Sequence, residues 1–484
     1  MEGRDEVQQS LAFALLVAGI EEKSKSHMGA SCFASQLHMR RNIISAYTLA
    51  SAFYVTCGHG FRVAFIADTG IGNDRPSDAW TDYLGNLRQP SYTVDGVECK
   101  NYKGEYCGAF SRARDVFELA RGSGAELVIH AGDLDYESSP TSWLRFLTEE
   151  AFRPGLGYLA SQGNHDVDGW DGVSDLWSGP RGYKTLLSRQ IPRGASCRGS
   201  YGEDYACEYK GVLFVLSSVG SVSPGESANR AHYDFVENAL RTSDAKWKIC
   251  VWHMTMNSLQ SSYKGDATGF GIYEICRKYG AFIVTGHAHT YSRSYTMKSF
   301  GTRVYGFTRQ DLQVASYDKS VITLKPGEQS GTTGIAVVGI GGYKNEAQQT
   351  DSGIWAKVYS SSCSSSSCEY ANDAHKYGAL ICEFAPTEST APCYLATTAR
   401  RGATAAEKQR RARVKVDEFT LVRQLGSNPS SSVLQSPRIP SSGACDDVPP
   451  DSTADCTDQA RWGKCDRDFL IRGNYCRKSC KRCS

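Results

Sequence analysis

The 484-residue sequence has almost no net charge: 54 Lys and Arg stand against 52 Asp and Glu, a balance of +2. So small an excess creates no field that would gather a phosphate backbone, so a nucleic-acid-binding surface is not expected. No apolar run reaches the roughly 20 residues that a bilayer span requires, which excludes a transmembrane helix. No Asn-x-Ser/Thr sequon with a non-proline middle residue occurs, so glycosylation says nothing about compartment. No internal repeat is visible, which argues against a solenoid or propeller array. What is present is a 40% hydrophobic fraction, enough for a sizeable core, and 18 cysteines. Six of these (Cys445, Cys456, Cys465, Cys476, Cys480, Cys483) fall at the C-terminal end, where no histidine accompanies them.

Such a cluster reads as disulfides in a secreted chain and as a zinc site in a cytosolic one, so compartment comes first. Residues 11–20 are apolar, but the preceding MEGRDEVQQS is acidic, the wrong sign for the start of a signal segment. Met39-Arg40-Arg41 is a better start, followed by uncharged residues 42–54 and the small-x-small Ala50-Ser51-Ala52 of a cleavage site. Met39 is therefore expected to be the functional start of a secreted protein, with 1–38 an upstream extension. A buried N-terminal helix or strand is the alternative.

From Phe61 the pattern is strand, loop, helix, repeated. Compact apolar runs at 61–67, 126–132, 157–163, 247–253, 281–287, 334–342 and 378–384 fit buried strands. Residues 207–218 read as two strands around Lys210-Gly211, and 414–422 as a last strand. Residues 110–120 carry an apolar helical face. Strands alternating with helical stretches predict an α/β core. The serine-rich 360–367, with Cys363 and Cys368 close by, reads as a local loop. The basic stretch 400–415 reads as an exposed insertion, and Ser/Pro-rich 425–443 as a flexible linker.

Chemistry-bearing residues recur directly after the strand-like runs: Asp68 in ADTG, Asp133 and Tyr136 in GDLDY, Asn164-His165 in GNHD, His253 in VWH, His287 and His289 in GHAH. In α/β sheets the loops at the carboxyl ends of strands gather in one crevice, so oxygen and imidazole donors from five loops would converge. Each motif alone has a bland reading as a turn or a structural histidine. Together, in this order and each at a strand end, they point to one site.

The set Asp68-x-Gly70, Gly132-Asp133-x-x-Tyr136, Gly163-Asn164-His165, Val251-x-His253 and Gly286-His287-x-His289 resembles the five-motif signature of purple acid phosphatases, within the calcineurin-like metallophosphoesterases. The resemblance spans about residues 61–423. It implies a four-layer αββα sandwich and two metal ions. Asp68, Asp133, Tyr136 and His289 would hold the first, Fe(III); Asp133, Asn164, His253 and His287 would hold the second, Zn(II), Mn(II) or Fe(II). Asp133 would bridge. The donor chemistry agrees, since carboxylate and phenolate suit a hard trivalent ion and imidazoles with an amide suit a divalent one. Two such metals clamp an in-line phosphoryl displacement, with a metal-bound hydroxide as nucleophile. His165 would contact the phosphate or protonate the leaving group.

The sequence departs from that pattern in three places. Ala67 stands where the first motif usually has Gly. The stretch 254–270 lacks the histidine that the family commonly has after His253, leaving Tyr263 or Lys264 as stand-ins. Asp135 adds a carboxylate to GDLDY and is expected to be a solvent-facing turn residue. Arg293, just past the last motif, would meet an anionic substrate or form a surface ion pair. His130 is expected in the core or behind the ligands.

The C-terminal segment is too short to bury an adequate core without cross-links. Its NYCRKSCKRC resembles ShK toxin-like (ShKT) domains. The resemblance implies the pairs Cys445–Cys483, Cys456–Cys476 and Cys465–Cys480; the spacing itself leaves 15 pairings open. The Lys-Tyr pair of channel-blocking members is replaced by Leu470 and Ile471, so an accessory module with a protein or surface partner is expected instead.

The expected organisation is an N-terminal extension and signal segment at 1–60, a metallophosphoesterase domain at 61–423, a linker at 424–444 and an ShKT domain at 445–483. The expected activity is hydrolysis of phosphate monoesters. A phosphodiesterase or nucleotide-directed enzyme is the first alternative, and a non-catalytic secreted binding protein the second.

Overall fold

The computed structural model describes residues 60–70 and 111–424, except 137, 152–155, 172–181, 305, 372–374, 400–403 and 412–413; it also describes short stretches at 80–81, 87–88, 93–94, 97–98, 456–461, 465 and 478–481. The chain divides into units 1–60 and 61–484, so the expected signal segment lies outside the described residues, as does the linker.

Residues 61–424 form two large sheets. The first holds β1 (Phe61–Ile66), β2 (Ala125–His130), β3 (Gly157–Ala160), β12 (Val321–Leu324), β16 (Gly378–Phe384), β17 (Thr390–Thr397) and β18 (Lys415–Arg423), in the order β12-β18-β17-β16-β1-β2-β3. The second holds β4 (Ser196–Ser200), β5 (Asp204–Tyr209), β6 (Val212–Ser217), β7 (Trp247–Trp252), β8 (Phe282–Thr285), β9 (Tyr291–Ser294), β13 (Ile335–Val338), β14 (Trp355–Ser360) and β15 (Cys368–Tyr370), in the order β15-β14-β9-β13-β8-β7-β6-β5-β4. A separate hairpin, β10 (Thr296–Val304) with β11 (Phe307–Ser316), follows β9.

Alternation of side chains decides the layering. Along β6, Val212, Phe214 and Leu216 join the core shared with the first sheet, while Leu213 and Val215 join a second core on the opposite face. That second core is closed by α2 (Arg230–Thr242) and α3 (Gly271–Lys278), through Tyr233, Val236, Ile272 and Tyr273. On the outer side of the first sheet, α1 (Ser111–Gly122) inserts Ala113, Val116 and Phe117. Helix, sheet, sheet and helix layers result, the expected α/β sandwich, with central strands buried on both faces and therefore written as continuous apolar runs.

The first sheet ends in three parallel strands, β1, β2 and β3, and the second has a parallel centre, β6, β7, β8 and β13. Their carboxyl ends carry every candidate ligand. At Lys210-Gly211 both residues have positive φ (48° and 76°), the turn geometry that joins β5 to β6.

Disulfides link Cys197–Cys207, Cys250–Cys276, Cys363–Cys368 and Cys382–Cys393. In the C-terminal segment Cys465 is bonded to Cys480. Cys456 is also disulfide-bonded, while Cys445, Cys476 and Cys483 lie outside the described residues. Among the described residues no helix is long and apolar enough to cross a membrane.

The basic stretch 400–415 is not simply an exposed insertion. Its α4 (Ala405–Arg411) docks on α1, with Lys408 Nζ 3.1 Å from Asp115 Oδ1 and 2.9 Å from Glu118 Oε2. Partnering two carboxylates accounts for part of the basic composition.

Candidate metal centre

The ligand loops are zipped together by their backbones. Asp68, Thr69 and Gly70 donate N–H groups to the carbonyls of Gly132, Asp133 and Leu134, which holds the loop after β1 against the loop after β2. Gly286 donates to the His253 carbonyl at 3.0 Å, joining the loops after β7 and β8. Asp68, Asp133, Tyr136 and His287 have φ between 56° and 67°, a left-handed conformation that non-glycine residues rarely adopt. Four of the seven candidate ligands thus sit on backbone that sterics disfavour, and such strain persists where surrounding contacts over-determine it.

The expected residues do come together. Tyr136 Oη donates to Asp68 Oδ1 at 2.8 Å and lies 3.0 Å from His289 Nε2, which is itself 3.2 Å from Asp68 Oδ1. Asp133, His253 and His287 form the second group, with one ligand atom from each within 4.8 Å of the others. His253 Nε2 lies 3.1 Å from Asp133 Oδ2, while its Nδ1 donates to the Ala131 carbonyl at 2.8 Å. That anchor fixes the tautomer and leaves Nε2 for the centre. His165 donates its backbone N–H to Asp133 Oδ1 at 2.9 Å, and its ring is exposed beside Tyr136, at 4.5 Å between centroids.

Buried atoms without hydrogen-bond partners test whether metal ions fit. Asn164 Oδ1 and His253 Nε2 are two such atoms, the second with the Asp133 carboxylate 3.1 Å away but no hydrogen bond to it, and both belong to the expected ligand set. A buried acceptor and an imidazole nitrogen left this way are costly unless something else coordinates them. Burial, then the charges of Asp133 and Asp68, pushes the Tyr136 phenol far up, so a nearby cation is needed for phenolate to form. Burial raises both carboxylates, but for Asp68 the imidazoles of His253 and His289 outweigh it, and for Asp133 those of His253 and His165 do. For His253 burial acts against charge, yet Asp133 and Asp68 raise it to about 9. Burial and then the His253 charge hold His287 down to about 3, in its neutral, ligating form. The Asp133, His253 and His287 donors fit a cation, and Asp68, Tyr136 and His289 bring further oxygen and imidazole donors together beside them.

Glycine is required at Gly163, where a Cβ would stand 2.2 Å from Asp133 Oδ1. Ala67, the departure in the first motif, is tolerated because Gly286 faces it; a Cβ there would approach the Ala67 methyl to 2.7 Å.

Three expectations change or sharpen. Asp135 is buried, not solvent-facing, and accepts the Ser139 N–H at 3.1 Å. Arg293 is not on the surface: it is 1% exposed and grips Asp417 through Nε at 2.6 Å and Nη2 at 2.9 Å. His130 is buried, with Nε2 2.9 Å from Thr69 Oγ1, directly behind Asp68, in keeping with its expected place. Of the stand-ins for the missing histidine, Lys264 is drawn to a carboxylate, with Nζ 3.5 Å from Glu346 Oε1, and Tyr263 is exposed, with Lys264 Nζ 4.9 Å from its ring centroid.

Sequence reasoning missed Asp166, Tyr343 and Glu346. Asp166 accepts the N–H groups of Asp133, Leu134 and Gly163 at 2.8–2.9 Å, so one side chain shapes two ligand loops. Tyr343 stacks on Tyr136 at 3.7 Å and 5° between planes. The signal was available, since the loop after the run 334–342 also ends a parallel strand, but it holds no histidine or aspartate to draw notice. Tyr343→Leu is expected to lower the stability of the metal-free protein by about 1 kcal/mol, a modest loss because Tyr343 is 38% exposed. Urea unfolding measures it, and an unchanged midpoint would mean the stack carries no energy.

Residues 61–291 match the family model described as calcineurin-like phosphoesterase. Among solved structures, a purple acid phosphatase, PPD1, from yellow lupin (Lupinus luteus) seeds is 15% identical over 76% of this chain and 54% of its own, with a TM-score of 0.45. The chain thus spans about half the length of that protein. PhoD is 10% identical over 76% of this chain and 74% of its own, with a TM-score of 0.35. A single mutant of Vps29 from Entamoeba histolytica is 10% identical over 70% of this chain and 92% of its own, with a TM-score of 0.21. No curated protein matches the chain.

Proposed function

We propose that the chain, whose residues 61–291 match the calcineurin-like phosphoesterase model, is a secreted dinuclear-metal hydrolase of phosphate monoesters, of acid phosphatase type. One observation carries the reading: carboxylates, a phenol and imidazoles from four loops meet in one place, and Asn164 Oδ1 and His253 Nε2 are buried without a hydrogen bond. Asp68, Asp133, Tyr136 and His289 would hold Fe(III); Asp133, Asn164, His253 and His287 would hold Zn(II), Mn(II) or Fe(II). When bound, the metals supply Lewis-acid activation of water and of the phosphoryl oxygens.

The chain's own residues do the rest. Asp133 places one carboxylate between the two ligand groups, and its Oδ1 fixes the backbone of His165. His165, more exposed than any of the ligand residues, reaches the substrate and delivers a proton to the leaving oxygen. With a net charge of only +2, phosphate affinity comes from the centre rather than from a whole-protein field. The several disulfides support an oxidising, extracellular compartment. The C-terminal cysteines would form an ShKT module that engages a protein or surface partner.

The loop 254–270 favours a second reading. It offers no second histidine for the leaving group, and diesters of good leaving groups need less acid assistance. Hydrolysis of an aryl phosphate and of the bis-aryl phosphate separates the two. The monoester is expected to give the higher kcat/KM by at least about tenfold, or about 1.4 kcal/mol. A preference for the diester would replace the first reading with the second.

A further inference from the structure

The loop 339–346, which follows β13, touches the ligand set from a sixth direction. Its backbone docks on the first motif, with Gly341 and Tyr343 donating to the carbonyls of Ala67 and Asp68 at 2.9 Å. Its last residue, Glu346, donates its own N–H to the His289 carbonyl at 2.7 Å. The Glu346 side chain is only 7% exposed, and none of the sequence motifs includes it.

The two ends of the His289 ring face different partners. Nε2 faces Asp68 Oδ1 and Tyr136 Oη, and Nδ1 faces Glu346 Oε1 at 3.3 Å. His253 shows the same division, with a carbonyl at Nδ1 and the centre at Nε2. The Glu346 carboxylate is itself pinned. Oε2 accepts from Ser262 Oγ at 2.5 Å, and Oε1 has Lys344 Nζ at 3.0 Å and Lys264 Nζ at 3.5 Å. Three side chains from two loops therefore hold one carboxylate against one imidazole.

We propose that Glu346 is the positioning residue of His289: it takes the Nδ1–H, fixes the tautomer that presents Nε2, and makes the imidazole a stronger donor. A metal-ligating histidine generally gives its other N–H to such a group, and losing that partner weakens metal retention about 10–100-fold. The inference rests on the proposed function, because it assigns His289 to a metal. Glu346 acts through His289 and does not touch substrate. Lys264 and Lys344 keep it in place, so the loop that lacks the family's histidine contributes a lysine to ligand support instead.

The test is metal retention by the full-length protein. Wild type and Glu346→Gln are dialysed against rising chelator, and the metal left per chain is read by elemental analysis. The glutamine variant is expected to lose one metal at about 10–100-fold lower chelator while retaining the other, and Glu346→Asp to recover part of the loss. If the glutamine variant does not fold, the aspartate variant carries the test, with a midpoint below wild type. An unchanged midpoint overturns the assignment of Glu346 and leaves the proposed function standing. A wild-type chain that binds no metal at all overturns both.

Discussion

Asp133→Asn is expected to lower kcat/KM for an aryl phosphate by more than about a thousandfold, or about 4 kcal/mol of transition-state stabilisation. The substitution keeps the shape of the side chain and removes its charge. Asp133 is the only residue placed in both ligand groups, lying against His253 Nε2 at 3.1 Å through one oxygen and the His165 N–H at 2.9 Å through the other. Metal content at both sites should fall with the activity, because the amide offers no negative charge to share. The backbone N–H of residue 133 still reaches Asp166, so the loop keeps its form and the circular-dichroism spectrum should match wild type. Near-normal turnover, or lost activity with both metals fully retained, would contradict the bridging role.

Asp417→Ala is expected to destabilise the protein by about 3–5 kcal/mol, measured by urea unfolding at fixed metal content. Arg293 on β9 belongs to one sheet and Asp417 on β18 to the other, so the pair crosses the sandwich interior. Both are buried, at 1% and 8% exposure, and the guanidinium lies 4.5 Å from the Phe419 ring centroid. Removing the carboxylate leaves a cation in a low-dielectric interior and takes the acceptor from Tyr291 Oη, which donates to Asp417 Oδ2 at 2.7 Å. The loop carrying His287 and His289 leads directly into β9, so weaker metal retention should accompany the loss of stability. A change below about 1 kcal/mol would mean that Arg293 finds water or another partner without cost.

Much of this was legible in the sequence for physical reasons. Strands buried on both faces must be apolar throughout, so 61–67, 126–132 and 281–287 announced themselves, and their carboxyl ends located the ligands. Other elements were not. The strand β9, YSRS, is polar and fully buried; its identity depends on Asp417, 124 residues further on, neutralising Arg293. The hairpin of β10 and β11 is largely exposed and carries little alternation. Asp135 read as a turn residue because it is a charged residue in the loop after a strand; its burial follows from tertiary packing. Glu346 and Tyr343 escaped because supporting residues have no required identity at a fixed spacing, unlike ligands.

Metal analysis and a visible spectrum of the purified full-length protein decide whether Asp68, Asp133, Tyr136, Asn164, His253, His287 and His289 hold two metal ions. Two metals per chain are expected, with a tyrosinate-to-iron absorption band that disappears in Tyr136→Phe. A wild-type protein with no bound metal after growth in iron- and zinc-supplemented medium, or a band that survives Tyr136→Phe unchanged, would contradict that assignment.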